Sequence, residues 1–377
     1  MLDDISRAVM AREEVARYLR GAHGRGEEAA RERVEGYLEE LRTTQRYAFY
    51  RALKHPLYPI LRKIERLDEH IEFAQAASRS GRVLYVSNHK SHTDYLVEPL
   101  VLDDHGIRPP IIAAGINLFG GPLGLLHKHV TGAIPIRRNT KDPAYLVTLK
   151  AYVAELLYRH DMLFYLEGGR SYSGEIKPPK TGLLHAALQA GRDDLCAVPV
   201  AIAYDLVLED HVLARQAQKR RQRPFTRELA EMVRFAVGYQ SRAFVTFGAP
   251  VPLKGFDPES RREVLHLAQA LRETIGRLYK VLPTALVAAA MRPSVMRRDL
   301  EDRVEILIAE LRAGQANLAV TSAAQAVDEG LEQLGERGVL VLERSGRIRV
   351  RERAVLRYYA RTIQHLSPGP GRPSRTH

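Results

Sequence analysis

The chain has 377 residues, 45% of them hydrophobic, with 57 lysines and arginines against 45 acids and a formal charge of +12. That length predicts two or three units, the apolar content excludes a largely disordered chain, and the basic balance favours anionic partners: phosphorylated metabolites, anionic lipid headgroups, acidic carrier proteins or nucleic acid. A single cysteine, Cys196, excludes an intrachain disulfide framework and a Cys-based zinc site, and fits a reducing, cytosolic setting.

The opening stretch, MLDDISRAVMAREEVARYLR, has no long apolar core and does not read as a signal peptide. Residues 4 to about 75 are predicted helical, with Val34, Leu38 and Leu41 at helical spacing. KHPLYPI at 54–60 interrupts them with two prolines, so a turn or kink is expected there. From 81 to about 250 short apolar runs alternate with helical segments. Strands are predicted at 83–87, 110–114, 133–137, 162–166, 197–203 and 243–247, and helices at 94–103, 142–159, 181–190 and 225–236. The alternation predicts an α/β fold, a mixed, largely parallel sheet covered by helices. Beyond FGAPVPLKGFDPES, helices return at about 257–280, 297–312 and 321–335. VLVLERSGRIRVRE (339–352) then reads as a hairpin turning at Ser345-Gly346, followed by an amphipathic helix. The organisation expected is a helical N-terminal region (1–78), a central domain (79–255), a helical C-terminal region with a small hairpin (256–366) and a disordered tail (367–377). No apolar run approaches the ~18 residues of a spanning helix.

In VLYVSNHKSHTDYLVEPLVL (83–102) a His and an Asp follow a buried strand. Residues five apart on a helix point about 140° from each other, so His89 and Asp94 cannot pair on one helix. They meet if His89 lies in the loop and Asp94 in the first helical turn, where an acid is favoured. Asp94 could then accept from one ring nitrogen and leave the other as a base, half of a serine-protease arrangement with a substrate hydroxyl as nucleophile. Chance alone gives about one such pair in a chain this rich in histidine, and the alternative is a helix-capping Asp beside an ordinary loop His.

Three further strand ends carry chemistry. GAIPIRRN ends in Arg137-Arg138, and MLFYLEGGRSYSGEIKPPKTGLL places Glu167, Gly168, Gly169, Arg170 and Ser171 after another strand. Arginine grips phosphate with paired hydrogen bonds, and glycine lets the backbone turn tightly or approach a ligand. Lys180, Thr181 and Gly182 begin a helix, whose free N–H groups attract anions. Each has a plainer reading as a solvated strand end, an ordinary turn or a surface lysine.

Together these segments resemble the glycerolipid acyltransferase superfamily and, within it, the bacterial membrane-associated glycerol-3-phosphate acyltransferases. NHKSHTDYL is similar to the first of its four blocks, GINLFGGPLGLLHKHVTGAIPIRR to the second, YLEGGRSYSGEIKPPKTG to the third and AVPVAIAYD to the fourth; LRYYARTIQHL resembles its C-terminal Tyr-rich helix. The resemblance implies transfer of a fatty acyl group from a thioester, acyl-CoA or acyl-carrier protein, to the sn-1 hydroxyl of glycerol 3-phosphate, giving lysophosphatidic acid in the first step of phospholipid synthesis. It implies His89 as base, Asp94 as its orienting carboxylate, and Arg138, Arg170, Ser171 and Lys180 as ligands of the acceptor phosphate, with Arg137 beside them and Glu167 and Gly168 shaping the pocket. No metal or other cofactor is implied. Position 90 is Lys where these enzymes usually have Arg, and Asn88 is more like the lysophosphatidate acyltransferases, whereas Glu-Gly-Gly-Arg-Ser leans towards glycerol 3-phosphate. The chain is also much shorter than the longer bacterial members. Lysophosphatidate and dihydroxyacetone phosphate stay open as acceptors.

A reading from another class takes 321–352, a helix then a basic hairpin with Arg344, Arg347, Arg349, Arg351 and Arg353, as a winged helix on nucleic acid; the four blocks argue against nucleic acid as partner. The expected location is the cytoplasmic face of the membrane, peripheral or monotopic, on an anionic surface. YKVLPTALVAAAMRPSVMRR (279–298) reads either as an interfacial helix or as a core helix of the C-terminal unit.

Overall fold

The structure, a computed structural model, describes residues 3–22, 25–48, 51, 63–119, 128, 131–219 and 240–366. The expected kink at 54–60, the helix at 225–236, the tail, and residues 120–127 and 129–130 of the second block lie outside them.

Three helices open the chain: α1 (Asp4–Ala11), α2 (Glu13–Gly21) and α3 (Arg25–Leu41). Asp3 starts α1 by accepting from the Ser6 N–H at 2.8 Å, which satisfies one of the donors a helix start leaves open. Val34, Leu38 and Leu41 are all fully buried, as their spacing predicts.

The central elements are β1 (Ile64–Glu69), α4 (Ile71–Ser80), β2 (Arg82–Ser87), α5 (Asp94–Asp104), β3 (Ile111–Gly115), a 3₁₀ turn (Ile116–Phe119), β4 (Ala133–Ile136), α6 (Pro143–Leu157), β5 (Met162–Tyr165), α7 (Gly182–Leu188), β6 (Leu195–Tyr204), α8 (Asp210–Lys219), β7 (Ser241–Phe247) and β8 (Val251–Pro252). Seven strands run in the order β1-β7-β6-β2-β5-β3-β4, and β8 adds to β6. The block β6-β2-β5-β3-β4 is parallel throughout, while β7 and β8 pair antiparallel to β6 and β1 runs parallel to β7. The chain therefore adopts the expected class, a mixed, largely parallel sheet flanked by helices with helical regions at both ends. The six predicted strands are present within two residues of their expected bounds. β1 is a correction: 64–69 was expected to be helical. Its side chains beyond Ile64 are half-buried or exposed, so burial imposes no clean two-residue alternation on this edge strand.

The C-terminal elements are α9 (Arg261–Leu278), α10 (Pro283–Ala290), β9 (Ser294–Met296), α11 (Arg297–Ala313), α12 (Ala323–Glu336), β10 (Leu340–Leu342), β11 (Arg347–Val350) and α13 (Arg353–Thr362). β10 and β11 form the expected hairpin, and β9 adds to the far side of β11. From α10 to β11 the order of helices and strands is that of a winged helix. Yet α12, where a recognition helix would stand, carries Asp328, Glu329, Glu332 and Glu336, and Glu329 pairs with Arg242 of β7 at 2.7 Å. Acidic and docked on the central sheet, it lacks the charge to approach phosphate. α10 is buried along its length except at Ala289, so it is a core helix rather than an interfacial one.

Candidate active site

Parallel strands bring their C-terminal ends to one edge of the sheet, where loops can converge. β2 delivers His89, β4 delivers Arg137 and Arg138, β5 delivers the loop from Glu167 to Lys180, and β6 delivers Glu209. A cavity of about 620 Å³ opens there. Its lining includes His89, Arg138, Arg170, Lys177 and Lys180, together with Ala113, Ile136, Leu146, Leu149, Phe164 and Leu183.

His89 and Asp94 meet as the strand–loop–helix reading requires. His89 Nδ1 lies 2.8 Å from Asp94 Oδ2. The same carboxylate oxygen accepts from the N–H groups of Lys90 (2.7 Å) and Ser91 (3.0 Å), and Oδ1 accepts from the Tyr204 hydroxyl at 2.8 Å. Burial pushes the Asp94 carboxyl up to about 7, opposed by these donors, which favour the ionised form. The His89 ring stacks on Tyr165, centroids 3.9 Å apart at 9°. Tyr165 in turn donates to Glu98 at 3.0 Å, and Ser87 bonds the other Glu98 oxygen. Burial, then the charge of Asp94, holds the Glu98 carboxyl well above its usual range. Burial, followed by the charges of Arg170, Arg138 and Lys177, holds His89 well below its usual value. The imidazole is neutral, with Nδ1 on Asp94 and Nε2 unpartnered among the described residues.

The cationic residues differ in how they are held. Arg138 crosses Gly115 and Gly169: a Cβ at Gly115 would lie 2.8 Å from its Nη2. Among the described residues it makes no hydrogen bond or ion pair, and burial lowers its pKa. Arg170, 8% exposed, bonds Glu209 at 3.2 Å. Lys177 donates to the carbonyls of Gly169 (2.6 Å) and Arg170 (2.8 Å). Gly168 has φ +67°, the left-handed turn that a β-carbon disfavours, and a Cβ there would come within 3.0 Å of Lys180 Cγ.

Three of the expected site residues have other occupations. Arg137 is half-exposed at the cavity rim, and its guanidinium is taken by both oxygens of Glu40. Ser171 is fully buried, outside the cavity lining, with its hydroxyl on the Glu175 carbonyl (2.6 Å) and its N–H on the His89 carbonyl (3.0 Å). Glu167 accepts from the N–H groups of His89 (3.2 Å) and Lys177 (3.1 Å), and so ties two loops together. The sequence reading passed over Lys177, Tyr165, Glu98 and Glu209. The available signal was a charged residue inside an apolar run, as in YLVEPLVL and YDLVLED.

Residues 68–203 match the acyltransferase family, and residues 229–367 match the glycerol-3-phosphate acyltransferase C-terminal region. A protein of Aeromonas hydrophila named glycerol-3-phosphate acyltransferase is 32% identical over 70% of this chain and 34% of its own length. One of the same name from Haemophilus ducreyi is 30% identical over 77% of this chain and 40% of its own length. The chain thus spans little more than a third of these curated relatives. Among solved structures, the 1-acyl-sn-glycerophosphate (LPA) acyltransferase from Thermotoga maritima is 17% identical over 60% of this chain and 80% of its own, with a TM-score of 0.35. The two family matches thus give this chain an acyltransferase region, 68–203, followed by a glycerol-3-phosphate acyltransferase C-terminal region, 229–367.

Proposed function

We propose that this chain transfers an acyl group from a thioester, acyl-CoA or acyl-carrier protein, to the sn-1 hydroxyl of glycerol 3-phosphate. The observation that carries the reading is convergence: a neutral His89 backed by Asp94 lines the same cavity as Arg138, Arg170, Lys177 and Lys180. Those four cations suit a phosphate three carbons from the reacting oxygen, and the apolar residues in the same lining suit an acyl chain. The names of the curated relatives support the same acceptor.

In this reading His89 Nε2 takes the proton of the acceptor hydroxyl as its oxygen attacks the thioester carbonyl. The tetrahedral intermediate collapses, the C–S bond breaks, and the thiolate takes the proton back from the imidazolium. Asp94 stabilises that imidazolium, which the surrounding cations otherwise disfavour, so the pair is most valuable in the transition state. A positioned base of this kind is typically worth ~10²–10⁴ in rate.

Among the described residues no helix is long and apolar enough to cross a membrane. Contact with an anionic bilayer from the cytoplasmic side, peripheral or monotopic, fits the +12 charge and a lysolipid product. The deciding experiment is purified protein with an acyl thioester and labelled glycerol 3-phosphate, lysophosphatidate or dihydroxyacetone phosphate. Glycerol 3-phosphate is expected to give labelled lysophosphatidate. Label transfer to lysophosphatidate alone would overturn the acceptor assignment, and transfer to none would overturn the activity.

A further inference from the structure

Two adjacent buried acids follow β6, and they face opposite ways. Glu209 accepts from the Ser91 hydroxyl (2.8 Å), the His92 N–H (2.6 Å) and Arg170 Nη1 (3.2 Å). It therefore holds the loop that carries His89 and one of the cavity arginines. Asp210 instead accepts from Arg337, at 2.6 Å from Nη2 and 3.1 Å from Nε, and from the Tyr359 hydroxyl at 2.7 Å. Arg337 ends α12 and Tyr359 lies in α13. Arg337 also donates to the Leu208 carbonyl (2.7 Å), and Tyr359 accepts from the Val207 N–H (3.0 Å). Both acids are fully buried, and a buried carboxylate is costly unless its partners stay in place. The segment 207–210 is thus pinned by the C-terminal region on one side and pins the cavity on the other.

A second contact runs the same way. Lys90, next to His89 and 1% exposed, donates to the Gly174 carbonyl at 2.6 Å and lies 4.9 Å from the centre of the Tyr279 ring. Tyr279 follows α9, so the loop with Arg170 is braced against C-terminal elements from both ends.

We infer that Arg337 and Tyr359 are positioning residues for acyl transfer: acting through Asp210 and its neighbour Glu209, they hold Arg170 where it meets the acceptor phosphate. The inference rests on the reading of Arg170 as a phosphate ligand. It assigns the C-terminal region a part in acceptor binding without placing any of its residues on the substrate.

The test is steady-state kinetics on the full chain, with near-UV circular dichroism as the check on folding. Arg170→Ala comes first. A rise in acceptor KM establishes the underlying reading; an unchanged acceptor KM overturns that reading and the inference with it. Tyr359→Phe and Arg337→Met are then expected to raise acceptor KM, the second on the order of tenfold, while donor KM stays within about twofold. Arg337→Lys should recover part of the loss. The readout that a merely structural role would not move is the double variant. Because Arg337 acts through Arg170, Arg170→Ala/Arg337→Met should match Arg170→Ala alone in acceptor KM. Additive effects, or a proportional loss for donor and acceptor alike, would refute the inference while leaving the acceptor reading intact. If Arg337→Met does not fold, Tyr359→Phe alone and paired with Arg170→Ala carries the same comparison.

Discussion

Two groups of arginines among the described residues contrast, and one of them is the group we propose to hold an anion. On the C-terminal hairpin, Arg344, Arg347, Arg349 and Arg351 are exposed. Arg347 rests on the Ser294 hydroxyl at 3.0 Å and Arg349 on Glu343 at 2.8 Å. At the sheet edge, Arg170 is removed from water and Arg138, itself exposed, reaches the same cavity, beside a histidine and two lysines. Exposed charge is screened over about 10 Å at ordinary ionic strength, whereas charge at low-dielectric walls acts on whatever enters. Convergence and burial, rather than the number of arginines, distinguish a ligand site from a basic surface.

The sharpest way to break this comparison is at the base. His89→Ala should lower kcat by ~10²–10⁴ without unfolding the protein, and Asp94→Asn should be nearly as damaging. A folded variant of either that kept most of the wild-type kcat would overturn the assignment. Next come the cations. Arg138→Ala and Lys180→Ala should each raise acceptor KM by about tenfold, because each removes a charged contact made in ground and transition states alike. Arg137→Ala should change it by less than about threefold, since Glu40 already takes that guanidinium. Equal effects at 137 and 138 would erase the distinction drawn here.

The pH dependence is a subtler probe. His89 is held well below its usual value by burial and neighbouring cations, so its base form persists as pH falls through 6.5. kcat at saturating acceptor should decline on acidification as Asp94, whose carboxyl burial pushes up to about 7, takes up a proton, with no separate His89 limb until lower pH; a kcat unchanged from about pH 8 down to about pH 5 would contradict the electrostatics. Stability carries the same sign. Below about 6.5 the unfolded chain binds a proton at this histidine that the folded chain does not, so His89 contributes a loss of stability as pH drops. The smallest kinetic effect is expected at the hairpin. Arg344→Ala/Arg347→Ala/Arg349→Ala should leave kcat/KM on a short, soluble thioester within about twofold. Sedimentation with vesicles should separate the roles further: wild-type binding to anionic lipid should weaken with salt, each surface Arg being worth ~1 kcal/mol. Unchanged binding at high salt would remove the electrostatic part.

The portions of the site legible in the sequence were those encoded locally. His89 and Asp94 are five residues apart and joined by one loop, and each interior strand of the parallel block is a continuous apolar run. β1 escaped notice because it is paired on one side only, with a polar majority. Glu209 escaped as a brace because its partners lie 118 and 39 residues away, a distance no window along the chain spans. Ser171 and Arg137 show the reverse. The residue types suit phosphate, but Glu175 and Glu40, unremarkable in sequence, occupy them first. Likewise the apolar stretch at α10 reads equally as a surface or a core helix until its neighbours are known.

The partnership of β1 with β7 also bears on how the protein is made. Glu69 on the first strand and Thr246 on the second are 177 residues apart. At ribosomal elongation rates of about 5–20 residues per second, that interval is roughly 10–35 s. Throughout it, β1 has emerged but its partner has not, and in its last part, once β6 has been made, β6 lacks the neighbour that covers its outer side. The parallel block from β2 to β6 can assemble during this time, leaving an open strand edge next to apolar surface, the condition in which nascent chains associate wrongly. Synthesis of this chain should therefore be most vulnerable just before residue 247 leaves the exit tunnel, and slowing translation upstream of β7 should increase its demand for chaperones.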